Sequence, residues 1–305
     1  MRRILAILAV LLVLAVIVEL AFGTWFSKDP LDKSDLGRNS AMAVSAAALY
    51  PGGRDFIYRR DGWGFRGTGL DPASITVLTV GGGTTDQRTL PDDQTWQSVM
   101  EREFRSAGLE TVVANAGIDG QTSQGHVRAF ENWFIHVPGL KPRFVLFSVG
   151  LDEAMGAARD EAQNSGRAHM IRRHSALLRM ADRLSESKTM AESPPVDPPE
   201  GKPNRAAIGI YKDRLKRLGQ LAHAMGAVPV FVVQGAPVAD KAAARRLADF
   251  NQATREVCKE GGLLCLDLAR EVTFDPGDFY DHLHNSPQGA EKVGRWLSTK
   301  LAGLV

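Results

Sequence analysis

Five short apolar runs, rich in β-branched and aromatic residues, recur along the chain with helical patterns between them: Ile75 to Val80, Thr111 to Ala114, Phe144 to Val149, Val228 to Val233 and Leu263 to Leu268. Runs of this kind are apolar at nearly every position, not at every second one. They suit strands buried on both faces, and strands alternating with helices form a parallel sheet. The expected fold is therefore a three-layer α/β/α sandwich on a five-stranded parallel sheet. Helices are expected from near Thr95, over Leu215 to Ala224, over Ala242 to Val257, and after Ser286, which can cap a helix opened by Pro287. Ligands of such sheets sit beyond the carboxyl ends of the strands. That directs attention to the loops after Val80, Ala114, Val149 and Val233, and to the segment before the last helix.

The N-terminus follows a different rule. Arg2 and Arg3 precede an unbroken apolar run from Ile4 to Val18, and apolar character continues to Phe26 with Glu19 as its only charge. As a helix, residues 4–26 reach about 35 Å, enough for a hydrocarbon core. The expectation is one transmembrane helix that contacts the lipid bilayer through residues 4–26. The two arginines favour a cytoplasmic N-terminus and an extracytoplasmic (periplasmic) remainder. A cleaved signal peptide is the rival reading, disfavoured by the length of the run and a weak small-x-small site. Glu19 is expected to snorkel or to be protonated near the interface.

The rest divides into a connector over residues 28–70, expected to pack on the domain through its aromatic, glycine-rich end at Tyr58 to Gly67, and a domain over 71–305. An insertion at about 152–206 carries Arg167, Arg172, Arg173 and His174, then a proline cluster from Ser193 to Pro203. A solvated surface excursion is favoured for it over a lid. Composition is ordinary, at 44% hydrophobic and 24% charged, and a net charge of +2 without basic runs interleaved by aromatics excludes a nucleic-acid partner. The two cysteines, Cys258 and Cys265, admit either one disulfide in an oxidising compartment or two small buried hydrophobes.

Candidate chemistry sits in four loops. Asp281 and His284 stand three residues apart before the last helix, a spacing that lets a carboxylate fix an imidazole. Gly81-Gly82-Gly83-Thr84-Thr85 follows the first domain strand, Asn115-Ala-Gly117-Ile-Asp119-Gly120 the second, and Gly150-Leu-Asp152-Glu153 the third. In order and spacing these blocks resemble the SGNH, or GDSL-type, hydrolase family over roughly residues 56–303. Phe65-Arg66-Gly67 and the Gly-Gly-x-Thr-Thr-Asp-Gln block are similar to its membrane-anchored bacterial branch, whose members often accompany surface glycans. The resemblance implies an SGNH-hydrolase, flavodoxin-like frame and acyl or acetyl ester hydrolysis on an extracytoplasmic glycan. It implies an acid and base at Asp281 and His284, the nucleophile position at Gly83, and oxyanion-hole positions at Gly117 and Asp152.

Two of these positions depart from the family's pattern. Gly83 has no hydroxyl to acylate, so the serine route is impaired. Asp152 stands where an amide donor belongs, and losing one such donor costs about 10²–10³ in rate. Thr84 is adjacent to Gly83, but its hydroxyl is expected to bond a turn. His284 activating a water is one alternative, and a non-catalytic glycan- or partner-binding pseudoenzyme is the other. Asp152, Asp281, His284 and Asp119 have metal-ligating chemistry, but nothing in their spacing demands a metal; no metal and no cofactor is expected. His282 is expected on the surface.

Overall fold

A computed structural model of the protein describes residues 2–33, 36–156, 171, 174–178, 180–181, 205–235 and 241–305. The proline cluster, Arg167, Arg172 and Arg173 lie outside the described residues. Helix α1 (Arg2–Phe22) buries none of its residues and is long and apolar enough to cross a membrane. Glu19 does not simply reach for solvent. Its carboxylate accepts from Ser175 Oγ at 2.5 Å, the Ala176 and Leu177 amides at 3.0 and 3.1 Å, and Trp25 Nε1 at 2.9 Å.

The connector is more ordered than its sequence suggests. Strands β1 (Ser40–Ser45) and β2 (Asp55–Arg60) pair antiparallel, with Ser40 opposite Arg60 and Ser45 opposite Asp55. The sequence does not mark this ribbon, for a physical reason. Tyr58 and Arg60 face inward while Ile57 faces out, so a guanidinium occupies a position where a hydrophobe would have marked a half-buried strand. Leu31 and Phe65 from this region enter the main core.

The expected parallel sheet forms. In chain order come β3 (Ile75–Gly81), the short helix α2 (Gly83–Asp86), α3 (Trp96–Ser106), β4 (Val112–Asn115), α4 (Ser123–Asn132), β5 (Phe144–Ser148), α5 (Leu151–Ala154), α6 (Arg205–Ala224), β6 (Val228–Val232), α7 (Lys241–Gly261), β7 (Leu264–Leu266), α8 (Leu268–Glu271) and α9 (Pro287–Leu301). The strand order is β4-β3-β5-β6-β7, all neighbours parallel. The chain steps from β3 outward to β4, then crosses back to β5 on the other side. The direction of winding therefore reverses between β3 and β5, where Gly81 pairs with Ser148, and this switch point is where such a fold leaves its crevice.

Apolar cores cover both faces of the sheet. Phe130, Trp133, Phe147, Phe231 and Tyr211 pack on one, and Val77, Trp96, Phe104, Leu146 and Leu297 on the other. Side-chain caps fix the ends of α3 and α9: Thr95 accepts from the Ser98 amide, and Ser286 from Gly289. Cys258, near the end of α7, forms a disulfide with Cys265 on β7, with Cα atoms 6.0 Å apart, a spacing ordinary for such bonds.

The ribbon is locked to the sheet by charge. Asp86, fully buried, accepts from Tyr58 Oη at 2.7 Å and from Arg60 Nη2 at 3.0 Å. Arg60 also donates to the carbonyls of Gly64 and Gly117, and Arg66 to those of Asp86, Gln87 and Leu90. Burial pushes the Asp86 carboxyl up, but the guanidiniums of Arg60, Arg88 and Arg66 outweigh it and hold it below its ordinary value. Removing one partner of such a pair leaves an uncompensated buried charge. Asp86→Asn is expected to cost about 3–5 kcal/mol, read in thermal melts as a fall of roughly 6–20 °C. The double variant with Arg60→Met should cost less than the sum of the two single changes. Additive losses would show that the pair is not coupled.

Candidate active site

The carboxyl ends of β3, β4 and β5 and the turn before α9 meet at the switch point. The Asp281–His284 turn is built by its own carboxylate. Asp281 Oδ1 accepts from the backbone amides of Leu283 and His284 at 2.7 and 2.6 Å, and Asp281 Oδ2 lies 2.7 Å from His284 Nδ1. This arrangement leaves Nε2 as the working nitrogen. The Tyr280 ring stacks on the imidazole, with centroids 5.8 Å apart and planes 11° from parallel, and its hydroxyl meets Thr89 Oγ1 at 2.6 Å. Ser286 closes the turn, donating to the Gly277 carbonyl at 2.6 Å as it caps α9.

Gly83 lies within reach of this imidazole. A Cβ built on it would stand 3.0 Å from His284 Nε2 and 2.6 Å from Asp119 Oδ1. The triple-glycine loop, the β4 loop and the terminal pair therefore converge, although they lie far apart in sequence. Asp152, on α5, approaches the same loop, its Oδ2 only 1.8 Å from a Cβ built on Gly82, so a side chain there would have to displace the Asp152 carboxylate. Gly117 packs so closely on the Thr85–Asp86 backbone that a Cβ there would meet the Asp86 nitrogen at 2.3 Å. Its N–H, expected to face the cleft, donates instead to Asn115 Oδ1 at 2.9 Å. Thr84 Oγ1 meets the Gln234 carboxamide at 3.5 Å, and its carbonyl accepts from Trp96 Nε1. His282 is half-buried rather than on the surface, with its Nε2 enclosed.

Sequence reasoning missed three contributors. Asp119 entered only as a conceivable metal ligand, yet its carboxylate stands beside both Gly83 and His284, with Arg88 Nη1 3.8 Å from its Oδ2. Asp86 lay inside the quoted loop without an assigned role. Gln234 follows β6, at the edge where a site was expected, and donates to Ser148 Oγ at 2.8 Å. Thr84, Ser148 and Gln234 also border a narrow cavity walled by Trp96, Phe274 and Leu283. Among the described residues no His/Cys/Asp/Glu group has the arrangement to hold a metal ion.

The sequence profile of the GDSL-like lipase/acylhydrolase family matches residues 73–292, most of the chain and all four loops. The chain belongs to that family. One solved structure supports the fold. A crystal structure of TesA shares 16% identity at a TM-score of 0.50, covering 75% of this chain and 99% of its own. A putative lipolytic protein of the G-D-S-L family from Desulfitobacterium hafniense shares 15% at 0.48, covering 73% and 97%. The lipase/acylhydrolase from Enterococcus faecalis shares 16% at 0.47, covering 75% and 96%. No curated protein matches the sequence.

Electrostatics favours the charged form of the GDSL-type histidine. Burial pushes His284 down, but the Asp281 hydrogen bond and charge, with Asp119 and Asp86 behind, raise it above 6.5. Asp281 is pushed up by burial and brought below 3.8 chiefly by its bond to His284. The pair's contribution to stability is therefore complete between the unfolded values, 3.8 and 6.5. It fades as pH rises through the raised histidine value or falls through the lowered aspartate value. In histidine-selective NMR titrations of the detergent-solubilised chain, His284 is expected to titrate above 6.5. Asp281→Asn should lower that midpoint most, and Asp119→Asn by less. A midpoint unmoved by Asp119→Asn would show that this carboxylate does not act on the imidazole.

Proposed function

We propose that this chain is a membrane-anchored, extracytoplasmic family member that addresses acyl or acetyl esters of a surface glycan, with the serine route to their cleavage closed. Residues 1–27 serve as the anchor, 28–70 as a connector, and 71–305 as the domain, with an insertion at about 152–206. Arg2 and Arg3 ahead of the apolar helix support the orientation, and the Cys258–Cys265 disulfide supports an oxidising compartment. The glycan rests on the resemblance to the membrane-anchored branch.

The observation that carries the closed serine route is the position of Gly83 against His284 Nε2 and Asp119 Oδ1. A serine route needs a side-chain oxygen there, to give its proton to the imidazole and take the acyl group. Glycine supplies neither. The remaining route is attack by a water seated between the Asp119 carboxylate and the imidazole, with His284 taking its proton. General-base catalysis of this kind is worth ~10²–10⁴. The raised histidine value shifts the base form to higher pH, and Asp152 supplies no amide donor to the negative charge that develops on the ester oxygen. A second reading, a glycan- or partner-binding protein without turnover, is favoured by one observation: the Gly117 N–H is engaged by Asn115.

A short-chain aryl acetate assay on the detergent-solubilised chain separates these readings. Slow turnover that rises with pH and is abolished by His284→Ala supports the water route. No turnover in the native chain supports the binding reading. Under both, a fluorophosphonate should leave the native chain unlabelled, whereas Gly83→Ser combined with Asp152→Asn gains labelling at residue 83 once the Asp119 side chain swings aside. Labelling of the native chain at another cleft serine or threonine would overturn the assignment of Gly83.

A further inference from the structure

Glu19 is the one charge in the apolar run, and it meets a segment about 155 residues away. The described residues 176–178 and 180–181 are helical, and Ser175 caps their first turn, accepting from the Leu178 amide at 3.2 Å. The Glu19 carboxylate binds the same turn through Ser175 Oγ and the Ala176 and Leu177 amides. The first amides of a helical turn have no partner within it, so an incoming carboxylate is well placed there. Beside this contact Thr24 N donates to the His174 carbonyl at 3.0 Å, Thr24 Oγ1 meets His174 Nδ1 at 3.0 Å, and the Trp25 and His174 rings lie 5.6 Å apart. The segment is thus tied to the end of α1 at several points.

The same segment exposes apolar side chains. Ile171, Leu177, Leu178 and Met180 are 39–56% exposed, and Phe26 on the adjoining turn is 81% exposed. Depth then decides what covers them. The 21 residues of α1 span about 31 Å, the thickness of a bilayer's hydrocarbon core, so Phe22 stands at its boundary. Glu19 lies one turn inside that end, and Ser175, Ala176 and Leu177, bonded to it, share its level within a few ångströms. Apolar side chains at that depth face the interface between acyl chains and headgroups, where short amphipathic segments settle.

We propose that Ile171, Leu177, Leu178 and Met180 form a second membrane contact, facing lipid in the outer interface and held there by Glu19. This rests on the membrane-anchor reading of α1.

The test uses the full chain in phosphatidylcholine–phosphatidylglycerol vesicles, with Leu178→Cys carrying an environment-sensitive fluorophore. Resistance to alkaline carbonate extraction first reports on the anchor, and its failure would remove the anchor reading itself. In carbonate-resistant vesicles, lipids spin-labelled near the headgroup should quench the label at residue 178, and aqueous iodide should not. A label at Arg105→Cys, on the exposed end of α3, should respond to iodide. Glu19→Leu should leave extraction resistance intact while the lipid quenching at 178 falls roughly two-fold or more, because three bonds to a charged group are lost. Iodide-accessible label without lipid quenching would overturn the proposal. So would a label shielded from both quenchers, which would mean that another protein surface covers the segment, and so would quenching unaffected by Glu19→Leu.

Discussion

Everything near the candidate site is hung on a guanidinium–carboxylate pair withdrawn from water. Arg60 comes from the antiparallel ribbon and Asp86 from the end of the glycine-rich loop, and neither tolerates its depth without the other. The same guanidinium reaches the Gly117 carbonyl, so one side chain ties together the ribbon, the loop after β3 and the loop after β4. Arg66 repeats the device one loop further on, holding the carbonyls of Gln87 and Leu90 and pairing with Asp92 at 3.0 Å. These contacts set where Gly83 and Asp119 lie relative to the imidazole. The ribbon thus does more than join the N-terminal apolar helix to the domain: it is the jig in which the GDSL-type loops are set.

That division explains what the sequence made legible. Parallel strands buried on both faces declare themselves as continuous apolar runs, and all five lie where the runs lie, with ends shifted by a residue or two. The last helix was equally plain, because Ser286 and Pro287 each have a local physical role. The ribbon was hidden because its inward-facing residues include Arg60, and nothing along the chain tells an arginine paired with a distant buried aspartate from one in solvent. Asp119 and Gln234 were hidden for a related reason. Their meaning comes from the loops opposite them, and those meetings exist only after the sheet has formed.

The pair of loops at the switch point also shows how a fold can keep its geometry while its chemistry changes. Gly117 is held to glycine by its close approach to the Thr85–Asp86 backbone. Gly83 is different. The atoms that its Cβ would meet are the far ends of the Asp119 and His284 side chains, not backbone. Nothing in the backbone there demands glycine. The Asp281–His284 turn beside it is held by three hydrogen bonds and a stacked tyrosine.

The charge balance of the cleft bears on what that retained turn is good for. An imidazole between Asp281 and Asp119 is stabilised as a cation, and a cation is an acid and a hydrogen-bond donor before it is a base. In a serine hydrolase the imidazolium forms when the nucleophile gives up its proton; here the neighbouring carboxylates favour that form without one. With Asp119 facing Gly83 beside it, the cleft presents a donor and an acceptor within one small volume. That pairing matches a hydroxyl, which needs both, better than it matches an ester carbonyl, which needs donors alone. The departures at Gly83 and Asp152 remove a hydroxyl and an amide donor from the family's pattern, and both work against stabilising an oxyanion.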